Sequence, residues 1–130
     1  MTDCALSLLG LALRGNNLAV GEEPVKEACK ARRAWLVLSA DDAADNSVDR
    51  AGRMAELGGV PWIRVPWDKE TLGRALGRKT CAMAALTDRG LAAALAGKLA
   101  QADESLRPAL KPLLEETKKP RARRPAVREI

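Results

Sequence analysis

Apolar residues fall into two alternating patterns along this chain, one at helical spacing and one in short continuous runs. From Asp3 to Arg14 they crowd one side of a helix, with Leu6, Leu9 and Leu13 supported by Ala5 and Leu8. Asp3 is placed to cap it, and Arg14 followed by Gly15 supplies a cation in the last turn and a terminator. Asn16 and Asn17 make a turn, and Leu18 to Val20 reads as a short first strand.

The stretch from Val20 to Ser39 predicts a tight turn at Gly21, a second helix and a buried strand. Pro24 has the fixed φ and missing N–H that suit a first helical turn. Val25, Ala28 and Cys29 form one narrow apolar face, and Lys26, Lys30 and Arg33, at i, i+4 and i+7, line the neighbouring side. Trp35 to Leu38 fits a buried strand closed by Ser39, Asp41 and Asp42. A third helix is expected from about Ser47 to Leu57, with Val48, Ala51 and Ala55 inward and Gly58 and Gly59 at its end. The polar segment ADDAADNS before it offers several caps.

Pro61 to Val65 predicts a third strand, closed by Pro66. Asp68 caps a short helix that buries Leu72, Ala75 and Leu76 and ends on Gly77. Gly77, Arg78, Lys79 and Thr80 form an exposed loop before a small-residue strand, Cys81 to Leu86. Thr87 or Asp88 then caps a long helix through about Ala102, with Leu91, Leu95 and Leu99 inward. Strands separated by helices of ten or so residues argue for an α/β domain, a three-layer α/β/α sandwich on a small central mixed sheet.

That domain is expected to span residues 1–102. Beyond it, Pro108 and Pro112 interrupt an extension over 103–117, although Leu106, Leu110, Leu113 and Leu114 allow a short turn to dock. Residues 118–130 carry strong like charge and little apolar mass, so disorder is expected there.

Charge sharpens this division. The formal charge is +5 and the pI about 9.4. Six of the 22 basic residues lie in 118–130 against a single acid, Glu129, which leaves residues 1–117 balanced. A globally basic surface is therefore not supported, whereas a local patch and a basic tail are. The aromatic share is only 2%, all of it Trp35, Trp62 and Trp67, so the core must be built from Leu, Val and Ala.

Catalytic chemistry finds little to work with. The three cysteines, Cys4, Cys29 and Cys81, are far apart and the chain has no His, which argues against disulfide scaffolds, metal sites and His-based acid/base chemistry. No phosphate-cradling glycine motif or nucleophile elbow is present, and no cofactor is expected. Asp41 and Asp42 follow a strand, but adjacent acids before a helix commonly serve as caps. The apolar start reads as a helix, not a leader, and no run is long enough to span a membrane, so a cytoplasmic protein is expected.

What remains is the second helix start. Gly21 leaves backbone N–H groups open beside Lys26, Lys30 and Arg33, an arrangement suited to an anion. The same residues also suit an ordinary helix start with a solvated cationic flank.

Here the residues carry a resemblance. The run LLGLALRGNNLAVGEEPVKEACKARRAWLVLSADDAADNS, then VPWIRV, then KETLGRALGRKTCAMAALTDRGLA, resembles the bacterial YlxQ-type members of the kink-turn RNA-binding ribosomal protein superfamily, archaeal L-seven-Ae and its relatives. It covers residues 5 to about 97 in order. The resemblance implies an α/β/α sandwich that grips bent RNA between Gly21 to Lys26 and Gly77 to Cys81. In the archaeal motif at the turn, Gly-x-Asn-Glu-x-x-Lys, this chain places Glu23, Pro24 and Glu27 at the last three named positions. The bacterial relatives share the first Glu, so the resemblance does not by itself imply a standard kink-turn.

The expectation is a non-enzymatic, monomeric RNA-binding protein whose partner is structured RNA, ribosomal RNA included, with a ribosomal or other protein as a further partner. The expected contacts are Gly21 by backbone approach, Glu23 to a base, Lys26, Lys30 and Arg33 to phosphates, and Arg78, Lys79 and Thr80 from the second loop. The tail from Lys118 to Arg128 would add salt-sensitive, sequence-blind affinity. Two other readings stand beside this one: an adaptor of the same fold that has lost RNA binding and is anchored by Trp62 or Trp67, and an RNA-recognition module for an enzyme on another chain. An exposed Trp67 favours the adaptor; burial of both tryptophans, with Lys26 and Arg78 on one surface, favours RNA.

Overall fold

The structure, a computed structural model, describes residues 2–116. The side chains of Asp3 and Cys4 and the whole of 118–130 lie outside the described residues, and with them the expected first cap and the disorder of the tail. The elements run α1 (Thr2–Arg14), β1 (Leu18–Val20), α2 (Glu22–Lys30), β2 (Leu36–Ser39), α3 (Asp45–Gly58), β3 (Trp62–Arg64), α4 (Lys69–Ala75), β4 (Met83–Leu86), α5 (Arg89–Ala102), a 3₁₀ turn (Glu104–Leu106) and α6 (Arg107–Glu116).

The four strands form one mixed sheet in the order β1-β4-β2-β3. β4 runs antiparallel to both β1 and β2, with Val20 opposite Ala84 and Ser39 opposite Met83, while β3 is parallel to β2. Alternation along the strands feeds two cores. Leu36, Leu38, Ala84 and Leu86 join α1, α4, α5 and α6 on one face; Val37, Met83 and Ala85 join α2 and α3 on the other. Both faces are covered, which is why these strands read as continuous apolar runs. Packing is close enough that Leu9, Leu36, Leu38, Leu72 and Leu95 lose all solvent contact.

Several boundaries differ from the sequence reading, each for a local reason. α3 starts two residues early, at Asp45, and no side chain caps it. Asp42, one of the cap candidates, instead accepts the Lys69 N–H at 2.8 Å and ties this loop to the start of α4. β4 starts at Met83 because the Cys81 N–H turns away to the Lys69 carbonyl at 3.0 Å.

α2 stops at Lys30. The Arg33 N–H bonds to the Ala28 carbonyl at 2.9 Å and Arg32 takes a left-handed φ of 61°, which closes the helix, so Arg33 does not extend its cationic side. After Asp103 the chain forms a ten-residue helix, α6, rather than a short turn. Pro108 sits in the first turn, where its N–H is not needed, and Pro112 lies on the exposed side, while Leu110 and Leu113 are buried in the core.

Candidate functional site

The turn at Gly21 and the loop before β4 meet at one end of the sheet. β1 ends where β4 begins, and the Gly21 N–H carries their ladder one rung further by donating to the Met83 carbonyl at 3.0 Å. The Cys81 thiol donates to the same carbonyl at 3.2 Å. Burial pushes that thiol's pKa up, so it behaves as a structural donor and not as a nucleophile.

Gly21 has φ 99° and ψ 165°, a region essentially reserved for glycine, and its carbonyl accepts the Val25 N–H at 3.1 Å to start α2. No side chain caps this helix. The amides of Glu22 and Glu23 have no acceptor within the helix, and Pro24 has none to offer. Glu22 pairs with Arg50 of α3 at 2.7 Å. Both side chains are roughly two-fifths exposed, so the pair contributes little stability, but it fixes a cation beside the turn. Arg50 was not legible as a site residue. It lies on a different helix, and no sequence spacing relates α3 to the start of α2.

The second loop is held by its backbone. At the end of α4 the Arg78 N–H bonds to the Gly73 carbonyl at 2.8 Å and the Gly77 N–H to the Arg74 carbonyl at 3.3 Å, with Gly77 at φ 73°. Gly73 packs directly on Thr80: a Cβ at Gly73 would stand 2.6 to 2.7 Å from Thr80 backbone atoms. Arg78, Lys79 and Thr80 are all exposed on the tip so formed.

The structure therefore gathers Gly21, Glu23 and Lys26, in and just after the turn, with Arg78, Lys79 and Thr80 at one sheet end; Glu23 and Lys26 are exposed. Lys30 and Arg33 do not join them. Lys30 closes α2, and Arg33 lies beyond it, beside the start of β2 at the opposite end. Trp67 is buried, and Trp62 is half-buried with its indole N–H on the Ser39 hydroxyl at 2.9 Å. A shallow groove of about 430 Å³ runs along α3, lined by Val48, Arg53, Glu56 and Trp62 among others; it includes none of the expected RNA contacts but does include the adaptor anchor Trp62. Among the described residues, no group of three or more acids and cysteines is placed to hold a metal ion, and no helix is long and apolar enough to cross a membrane.

Residues 4–95 match the Ribosomal protein L7Ae/L30e/S12e/Gadd45 family. The chain belongs to that family. Within it, this L7Ae-family chain is 34% identical over 85 residues to the RNA-binding protein YlxQ of Bacillus subtilis (strain 168), an overlap of 65% of this chain and 84% of that one. The YlxQ-type resemblance read from the sequence is thereby met. The solved structure of a Bacillus halodurans protein of unknown function is similar at a TM-score of 0.67 and 30% identity, covering 73% of this chain and 95% of its own. The Giardia lamblia 15.5kD RNA binding protein shares the fold at a TM-score of 0.59 and 22% identity, over 72% of this chain and 82% of that one. The α/β/α sandwich expected from the sequence is thus the architecture of both.

Proposed function

We propose that this chain is a non-enzymatic, monomeric, cytoplasmic RNA-binding protein associated with ribosomal RNA or the translation machinery, holding structured RNA, ribosomal RNA included, at the sheet end formed by residues 21–26 and 77–81. The observation that carries this reading is the Gly21 to Met83 hydrogen bond, which joins two segments far apart in sequence into one edge. The family match and the 34% identical RNA-binding protein YlxQ support it. In this reading the free amides of α2 donate to phosphate or base oxygens, Glu23 accepts from a base donor, and Lys26, Arg78 and Lys79 meet phosphates. Glu22 is already neutralised by Arg50, which lowers the repulsion a phosphate meets at the turn. Burial of Trp67 removes one of the adaptor's two anchors, while Trp62 stays half-exposed, so the tryptophans meet the RNA criterion only in part. Glu23, Pro24 and Glu27 stand where the archaeal motif has other residues, so the RNA need not be a standard kink-turn.

The test uses the full chain with its six basic tail residues changed to Gln, against a kink-turn RNA, a ribosomal RNA fragment and an unstructured control across a salt series. One structured RNA is expected to bind at least tenfold tighter than the control, and Lys26→Glu, Arg78→Glu and Gly21→Ala each to weaken it by roughly 3- to 10-fold. Loss of all discrimination on neutralising the tail refutes the proposal.

A further inference from the structure

The two ends of the sheet carry opposite charge. At the end just described, segments 21–26, 40–46, 65–70 and 76–82 hold seven acids against four cations, with Arg50 of α3 a fifth cation, paired to Glu22. At the other end, segments 14–17, 30–35, 59–61 and 87–89 hold five cations, Arg14, Lys30, Arg32, Arg33 and Arg89, against Asp88 alone. Backbone bonds bring these segments together: Thr87 N–H to the Asn17 carbonyl at 2.9 Å, Trp35 N–H to Leu86 at 2.7 Å, and Val37 N–H to Pro61 at 3.0 Å. Asp88 is occupied as the cap of α5, accepting the Leu91 N–H at 2.9 Å.

Helix chemistry does not account for this cluster. A cation in a last turn ordinarily complements unsatisfied carbonyls. Here α1 and α2 both close with paired backbone bonds that already serve those carbonyls: Asn17 to Ala12 and Asn16 to Leu13, then Arg33 to Ala28 and Arg32 to Cys29. Arg32 moreover takes the left-handed position of this closure, where glycine is the usual residue. Arg89 is the first residue of α5, where positive charge runs against the helix dipole and the capping Asp88 is the acid at that helix start. Arg14, Lys30, Arg33 and Arg89 form no ion pair with any described residue, and neither do Glu27 and Glu56, the nearby acids of α2 and α3.

We propose that this pole is a second, sequence-blind RNA-backbone site. It rests on the RNA reading above and adds a division of labour. The acidic edge discriminates with amides and carboxylates, while the basic pole supplies affinity by releasing counterions from phosphates. The nine residues of α2 separate the two ends by about 14 Å, so the pole takes a different backbone segment of the same RNA from the one held at the edge. Lys30 and Arg33 belong to this second surface.

The test is made in the full chain with the tail cations at 118–128 changed to Gln. Arg14→Gln, Lys30→Gln, Arg33→Gln and Arg89→Gln are combined, all at positions without an ion pair to any described residue, and folding is checked by circular dichroism. The probes are a ribosomal RNA fragment and a fully paired RNA hairpin of arbitrary sequence. The combined variant is expected to bind both roughly tenfold more weakly at physiological salt, to lower the slope of log Kd against log salt by about 2 to 4, and to keep its preference between them. Protection of Lys30 from acetylation on adding RNA is expected in the parent and in its Arg78→Gln variant. Unchanged affinity and slope, with Arg78→Gln still weakening binding, overturns the pole and leaves the edge standing. Absence of RNA binding in the parent overturns both, and protection of Lys30 by polyglutamate but not by RNA assigns the pole to an acidic protein instead.

Discussion

Replacing Gly73 with alanine forces a methyl group into the backbone of the second loop. The added Cβ would lie 2.6 Å from Thr80 Cα and 2.7 Å from its N and C, where ordinary contact is 3.4 to 4 Å. None of these atoms is the end of a flexible side chain. Relief requires the loop to lift from α4, and the loop is tied down at both ends: Arg78 N–H bonds to Gly73 itself, and Cys81 N–H to the Lys69 carbonyl. Overpacking of this kind costs about 1–3 kcal/mol, against a gain of up to about 1 kcal/mol from better helix propensity. The net expectation is a loss of about 1–2 kcal/mol, or roughly 4 to 8 °C in Tm. Gly97→Ala is the matched control, because its Cβ meets nothing within 4 Å in the middle of α5, and it should stabilise by about 0.5–1 kcal/mol. Urea denaturation of both variants reads the difference directly. If Gly73→Ala stabilises as Gly97→Ala does, the packing of α4 on Thr80 is wrong, and with it the reason the second loop holds its shape.

Leu110→Ala removes a fully buried side chain from α6 and should cost about 2–4 kcal/mol within a single unfolding transition; a loss below about 1 kcal/mol would make α6 an appendage of the core. Asp68 supplies a pH test. The Thr71 N–H at 2.7 Å holds its carboxyl below the ordinary 3.8, so its contribution is complete above that value and is lost as pH falls through the lower folded value. Asp68→Asn, which keeps an acceptor at the cap but cannot titrate, should flatten the decline in Tm below about pH 4; an unchanged acid slope rejects the assignment.

Local chemistry made much of this molecule legible in one dimension. Period and punctuation gave β1 in full, the end of α5 at Ala102 and Asp68 as a side-chain cap, because each is marked by the residues that immediately flank it. The inward faces of α2 and α3 were equally readable, since Val25, Ala28, Cys29, Ala51 and Ala55 follow a helical repeat that burial alone explains. The conspicuous turn at Gly21 was legible for the same reason: a positive φ and a first-turn proline leave a mark in the sequence.

Other features depended on contacts across the fold. Pro108 and Pro112 argue against a helix locally, yet α6 forms because burying Leu110 and Leu113 outweighs one missing backbone bond. Asp42 looks like a cap for α3 and serves α4 instead, since the chain folds back there. Arg50 reaches Glu22 only once α3 packs beside α2. Helical spacing extended the cations from Lys26 to Arg33 as one strip, whereas the closure of α2 at Arg32 sends Arg33 to the opposite pole. The sequence by itself determined the family, the elements up to α5 to within a few residues and which loops carry charge. Apart from the two loops that the family resemblance already paired, only the tertiary structure decided which loops share an end of the sheet, because strand order, with β4 between β1 and β2, is set by long-range pairing that no local pattern encodes.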